Sequence, residues 1–166
     1  MTVLTINLTG EKSTIELGAK IAELLAPSDV LALCGPLGAG KTRFVKGVAE
    51  GLGIDPDQVV SPTFKIIDEH FGRLNLYHMD FYRLQNAEEA EEIGIEDYFE
   101  SDGVCAVEWA DRLKSMLPRS AVRIHFEISG DDDRRLVIQV GKGRADAFAS
   151  SLAAFDARID ETDAAP

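Results

Sequence analysis

The sequence is short of cysteine, of basic residues and of long apolar runs, and each shortage excludes something. Two cysteines, Cys34 and Cys105, are too few for a disulfide-rich scaffold, and each lies in an apolar strand-like run, where a thiol packs as a small hydrophobe. They read as reduced thiols of a cytoplasmic protein, with a disulfide as the alternative, and neither has a metal-ligand pattern beside it. No apolar stretch is long enough to span a bilayer. The opening MTVLTINLTG lacks a basic start leading into an apolar core, so no signal peptide is expected. Seventeen basic side chains against 29 acidic ones give a net charge of −12, with no basic patch on any stretch. Such a surface repels a polyanion, so any nucleic-acid role is expected to run through a protein partner.

What remains is ordinary for a globular chain: 166 residues, 45% of them hydrophobic, fit one domain over residues 1–159, with a frayed acidic tail at residues 160–166. After a short first strand, Ser13 and Glu16 form a capping box for a helix over STIELGAKIAELLA. VLALC reads as a strand covered on both faces, followed by a helix over residues 41–52 that Gly53 ends. TFKIIDEHFGRLNLYHMD reads as a hairpin turning at Phe71 and Gly72, and the acidic residues 88–97 as a helix with a solvated face; a docking surface is the other reading of that face. GVCAVEWA is a second buried strand, DRLKSML a short helix stopped by Pro118, and AVRIHFEIS with RLVIQV a strand pair around GDDDR. Residues 145–159 close the chain as a helix. Strands and helices alternate, which implies a layered α/β fold with a mixed sheet and no internal repeat.

Between the strand VLALC and the next helix stands GPLGAGKT, which fits G-x-x-x-x-G-K-[ST] with Gly35, Gly40, Lys41 and Thr42 at the defining positions. The chemistry needs that spacing. Small residues let backbone N–H groups turn inward around a phosphate, and the helix N-terminus adds its positive dipole. Lys41 reaches the outer phosphate oxygens and the Thr42 hydroxyl serves Mg²⁺. Two acids that close strand-like runs can complete such a site, each with a helix cap or surface carboxylate as its bland reading. Glu108, at the end of VCAVE, is expected on the metal side; Asp80, at the end of LNLYHMD, is expected to orient or deprotonate an attacking water, or to bind a metal-bound water. In SPTF (residues 61–64), Thr63 is a candidate γ-phosphate sensor or an ordinary turn residue. His78 is expected to pack or hydrogen-bond rather than to ligate metal, and Trp109 to be a core or interface aromatic. The guanine-specifying N-K-x-D and the accompanying D-x-x-G are absent, which leaves a small-molecule P-loop kinase or an ATPase that drives a partner.

GPLGAGKT, SPTF, HMDFYRL, EEIGIEDYF and AVEWADRL, in that order, resemble the TsaE family, the ATPase component of bacterial tRNA threonylcarbamoyladenosine synthesis, over residues 17–117. The resemblance implies a P-loop NTPase-like three-layer sandwich with a mixed, mainly parallel sheet. It implies ATP and Mg²⁺ as cofactors, slow ATP hydrolysis by the isolated chain, TsaD and TsaB as partner proteins, tRNA reached only through them, and no membrane. It places Gly35, Pro36, Leu37, Gly38, Ala39, Gly40, Lys41, Thr42 and Arg43 on the nucleotide, with Thr42 and Glu108 at the metal and Asp80, Glu108 and Lys41 in catalysis. Thr63 and Trp109 become sensor or interface residues. Gly10 with Glu11, and Asp133 with Arg134, are similar to segments that flank the nucleotide base. Two positions depart from the family pattern: Pro36 stands where an acid is more usual, and Arg43 where a second threonine commonly follows the first.

Overall fold

Alternation builds the first strand. Along Thr2–Thr9 (β1) the side chains of Leu4, Ile6 and Leu8 are buried while Asn7 and Thr9 face out, in this computed structural model, which describes residues 1–160. Gly10 then adopts φ 77°, with its N–H donating to the Asp132 carbonyl, and turns the chain directly into helix α1, Gly10–Ala22. The helix therefore starts before Ser13, and the expected capping box does not form. The Ser13 hydroxyl instead donates back to the carbonyls of Thr9 and Gly10 at 2.7 and 2.8 Å.

Strand β2, Val30–Cys34, and helix α2, Lys41–Gly51, fall where the sequence placed them. Helices α1 and α2 approach through Gly18, Gly47 and Gly51, where a Cβ on Gly51 would stand 2.6 Å from the Ala19 carbonyl. The hairpin is present as β3, Ile67–His70, and β4, Leu76–Asp80, paired antiparallel. Its first strand starts later than TFKII implies, because Lys65 and Ile66 both donate to the Pro62 carbonyl and hold residues 62–66 in a turn. The acidic segment divides at Gly94 (φ 77°) into α3, Ala87–Ile93, and α4, Ile95–Phe99. Both bury Ala90, Ile95 and Phe99 and leave Glu88, Glu91, Glu92, Glu96 and Asp97 in solvent.

Strand β5, Val104–Glu108, is buried along its whole length. The short helix expected in DRLKSML is present as a 3-10 segment, Ala110–Met116, broken at Leu113 (φ −130°, ψ 54°). It enters from Trp109 at φ 56°, which starts an Arg112 N–H to Trp109 C=O turn rather than an α-helical one. Strands β6, Val122–Ile128, and β7, Asp133–Val140, form the second antiparallel pair. The helix expected over residues 145–159 is shorter than that: α5, Ala145–Ser151, is followed by one 3-10 turn, Ala153–Phe155. Asp156 at φ 53° then turns the chain into β8, Arg158–Asp160. The free edge of β1 accepts this last strand, which outweighs helical continuation. Of the tail expected over residues 160–166, Asp160 instead pairs with Val3 as the last residue of β8, and residues 161–166 lie outside the described residues.

The strands order as β3-β4-β5-β2-β6-β7-β1-β8. Parallel pairing joins β4, β5, β2 and β6 at the centre, and antiparallel pairs flank it on both sides. The mixed sheet expected from the sequence is thus present, parallel through the strands that carry the site; it is not mainly parallel, since among the described residues four pairings are antiparallel and three parallel, the hairpins and the β1 edge adding antiparallel strands on both sides. One face of the sheet packs Leu31, Leu33, Ile124 and Ile138 against α1, α2 and Phe148 of α5. The other packs Ala32, Met79 and Val107 against Ala90, Ile95, Phe99 and Leu113, so helical layers cover both sides. Among the described residues no helix is long and apolar enough to cross a membrane. Because β4, β5 and β2 run in one direction, their carboxyl ends, Asp80, Glu108 and Cys34, open on one edge of the sheet. That edge is where open α/β sheets take ligands.

Candidate active site

GPLGAGKT folds as a loop between β2 and α2. Gly35 (φ 140°), Gly38 (φ 76°) and Gly40 (φ 101°) all take positive φ, and a Cβ at Gly35 would lie 2.6 Å from the Phe126 carbonyl. Gly40 is the N-cap of α2 in left-handed geometry, so successive N–H groups turn toward one point. The first turn of α2 holds no acid but carries Lys41 and Arg43. Cations at a helix N-terminus oppose the dipole by about 0.3–1 kcal/mol each, a cost that an anion bound there reverses.

Lys41 is only 4% exposed. Its Nζ donates to the carbonyls of Gly35 (2.7 Å) and Pro36 (2.9 Å) and lies 4.0 Å from the centroid of the Trp109 ring. Burial pushes its pKa below the ordinary lysine range, opposed by the negative charges of Glu108, Asp111 and Asp80. Asp80 and Glu108 are register partners across the parallel β4–β5 pairing, 2% and 3% exposed. The Oε1 atom of Glu108 accepts from the Thr42 hydroxyl and from His78 Nε2, both at 2.8 Å. Asp80 accepts from the Tyr82 N–H at Oδ1 (2.8 Å), and from the Ser61 (3.0 Å) and Thr63 (3.2 Å) hydroxyls at Oδ2. Ser61, Thr63, Asp80 and Glu108 line a cavity of about 460 Å³ together with residues 37–43, Tyr82 and Trp109, and His78 lies behind it.

Two adjacent buried carboxylates are costly unless a cation or several donors stand between them. Here the Thr42 hydroxyl and the Glu108 carboxylate meet at 2.8 Å, with Asp80 the register partner of Glu108; hard oxygen donors of this kind are those Mg²⁺ takes, so the donor chemistry fits that ion. His78 is fully buried and hydrogen-bonds to Glu108, as the sequence reading expected of it. Trp109 is not a plain core residue. It sits in the left-handed region, a strained conformation for a large side chain, and spreads its ring between Lys41 and Tyr82, whose ring centroid lies 4.9 Å away.

Not every expected site residue converges. Arg43 lines the cavity but pairs with Glu11, so both hold the rim as an ion pair, with Glu11 outside the cavity lining. Asp133 is exposed and away from the lining. Arg134 acts on the loop itself: its guanidinium donates to the carbonyls of Gly38 and Ala39, both at 3.2 Å, and to three carbonyls of the turn over residues 130–133. Two contributors had no role in the sequence reading. Ser61 shares the loop with Thr63, and Tyr82 lies two residues past Asp80; both positions were quoted within motifs, but nothing along the chain shows that they meet one carboxylate.

Comparison with known proteins identifies the family. A family profile described as Threonylcarbamoyl adenosine biosynthesis protein TsaE matches residues 8–137. The tRNA threonylcarbamoyladenosine biosynthesis protein TsaE of Bacillus subtilis is 43% identical over 153 residues, covering 92% of this chain and 93% of that protein. The protein of the same name from Haemophilus influenzae is 34% identical over 161 residues, covering 90% of this chain and 100% of its own. The crystal structure of Bacillus subtilis YdiB superposes with a TM-score of 0.76 at 37% identity, covering 94% of this chain and 98% of that one. Matched by the family profile over residues 8–137 and by these relatives over most of its length, the chain belongs to the TsaE family of threonylcarbamoyl adenosine biosynthesis proteins.

Proposed function

We propose that this chain is a cytoplasmic, Mg²⁺-dependent ATPase that supports threonylcarbamoyladenosine formation on tRNA, working with TsaD and TsaB. The observation that carries the reading is the meeting of Lys41, Thr42, Asp80 and Glu108 in one cavity at the carboxyl edge of β2, β4 and β5. The loop N–H groups and Lys41 bind the triphosphate; for Lys41 this means exchanging the Gly35 and Pro36 carbonyls for phosphate oxygens. The Thr42 hydroxyl and Glu108 hold Mg²⁺, which when bound neutralises charge on the phosphates. Asp80 orients a water for attack on the γ-phosphorus and accepts its proton, held in place by the Tyr82 N–H. Thr63 and Ser61 tie their loop to the same carboxylate, so γ-phosphate loss is transmitted to a surface loop in which Phe64 is 89% exposed.

The test is phosphate release from labelled ATP, alone and with TsaD and TsaB. Stimulated release to water is expected; transfer of label to a metabolite would instead identify a kinase. Asp80→Ala and Glu108→Ala should keep the fold and bind nucleotide but lose about 10²–10⁴-fold in turnover. Lys41→Ala should mainly weaken nucleotide binding. Wild-type turnover in either carboxylate variant would overturn the assignment of that acid.

A further inference from the structure

His78 is completely buried; Nε2 lies 2.8 Å from Glu108 Oε1, and Nδ1 has no hydrogen-bond partner. A carboxylate oxygen only accepts, so Nε2 carries the hydrogen and donates it. A ring needed only for packing would be replaced at lower cost by an apolar one, because the partnerless Nδ1 is penalised where it lies. The polar contact that offsets this penalty is the bond to Glu108. His78 precedes Asp80 by two residues on β4 and therefore shares its sheet face, while Glu108 is the β5 partner of Asp80. The three side chains thus form a row beneath the start of α2.

From this row we infer that His78 is a positioning residue for the metal-side carboxylate. The inference rests on the proposed role of Glu108. Glu108 Oε1 has two donors, the Thr42 hydroxyl and His78. With a cation held by Thr42 and Glu108, His78 would be the donor from within the sheet that keeps the carboxylate in register. Outer partners of this kind orient first ligands and set metal affinity without touching the ion.

The experiment measures binding of the non-hydrolysable ATP analogue AMPPNP by calorimetry, in EDTA and across a MgCl₂ titration. The proteins are wild type, His78→Phe and His78→Gln. His78→Phe should keep its EDTA affinity within about twofold while its Mg²⁺ midpoint rises about 10- to 100-fold. His78→Gln, whose amide can donate to the same oxygen, should recover most of that shift. In a Glu108→Ala background, His78→Phe should produce no further change. A wild-type Mg²⁺ midpoint in His78→Phe, or equal losses in the Phe and Gln variants, would overturn the role of His78 while leaving the site intact. A wild-type protein that binds AMPPNP without any Mg²⁺ dependence would overturn the metal site as well. Should His78→Phe fail to fold, His78→Asn, with its amide one methylene shorter, takes its place under the same outcomes.

Discussion

Among single residues, Gly35 shows how tightly the loop is held. Alanine there meets the Phe126 backbone carbonyl at 2.6 Å on top of φ 140°, whereas at Gly38 (φ 76°) a Cβ has nothing within 4 Å. Gly35→Ala should therefore lose about 2–4 kcal/mol in urea unfolding, and Gly38→Ala about 1–2, from backbone strain alone. Under the proposed function, Lys41 should make nucleotide binding pH-dependent. Burial lowers its pKa in the free protein and a bound polyanion raises it again, so binding takes up a proton once the pH reaches the lowered value. ATP affinity should stay flat below that pH and fall above it, and calorimetry on Lys41→Arg, whose charge does not titrate, should lack the decline. Cys105 behaves in the opposite sense. Burial raises its pKa from 9.0 to about 12, so its contribution to stability is complete below pH 9.0 and is lost as pH rises toward about 12. Iodoacetamide at neutral pH should leave Cys105 unmodified in native protein and label it in urea, read by mass spectrometry.

Between elements, the pairing that decides the position of the phosphate loop is α1 on α2. Helix propensity favours alanine over glycine by about 1 kcal/mol, so Gly47→Ala in α2 would stabilise a free helix. Here a Cβ at Gly47 would run into the Ile15 carbonyl and the backbone around Ala19, atoms that cannot rotate away. The substitution should instead destabilise by about 2 kcal/mol or more. Because α2 begins at Lys41, it should also weaken ATP binding, and denaturant unfolding beside calorimetry reads both effects. Element positions were mostly legible along the chain, since apolar runs such as VLALC and VCAVE admit few other readings. Where the reading failed, a long-range contact outweighed a local signal. The Ser13–Glu16 box lost to the bond between Gly10 and Asp132, and the closing helix lost to the free edge of β1.

For the molecule as a whole, charge is the governing quantity. With a net charge of −12, the isolated chain should bind tRNA weakly at physiological salt, and filter binding should show tight association only in the presence of TsaD and TsaB. Tight, salt-steep binding by the chain alone would refute delegation to partners. The acidic face on α3 and α4 is solvated, with Ala90, Ile95 and Phe99 turned into the core and Ile93 exposed, so its charges stay available to a partner or to water.

By itself the sequence determined the phosphate loop, its flanking strand and helix, and the identity of two candidate acids, because these depend on spacing within a few residues. Only the tertiary structure decided that Asp80 and Glu108 stand side by side, that Ser61 and Tyr82 serve the first, and that His78 holds the second. It also joined Arg134 to the loop carbonyls of Gly38 and Ala39 and turned Trp109 over Lys41. The physical reason is that register between parallel strands is set by the packing of helical layers on both faces of the sheet. That packing is a property of the folded chain and leaves no periodic trace along any one segment.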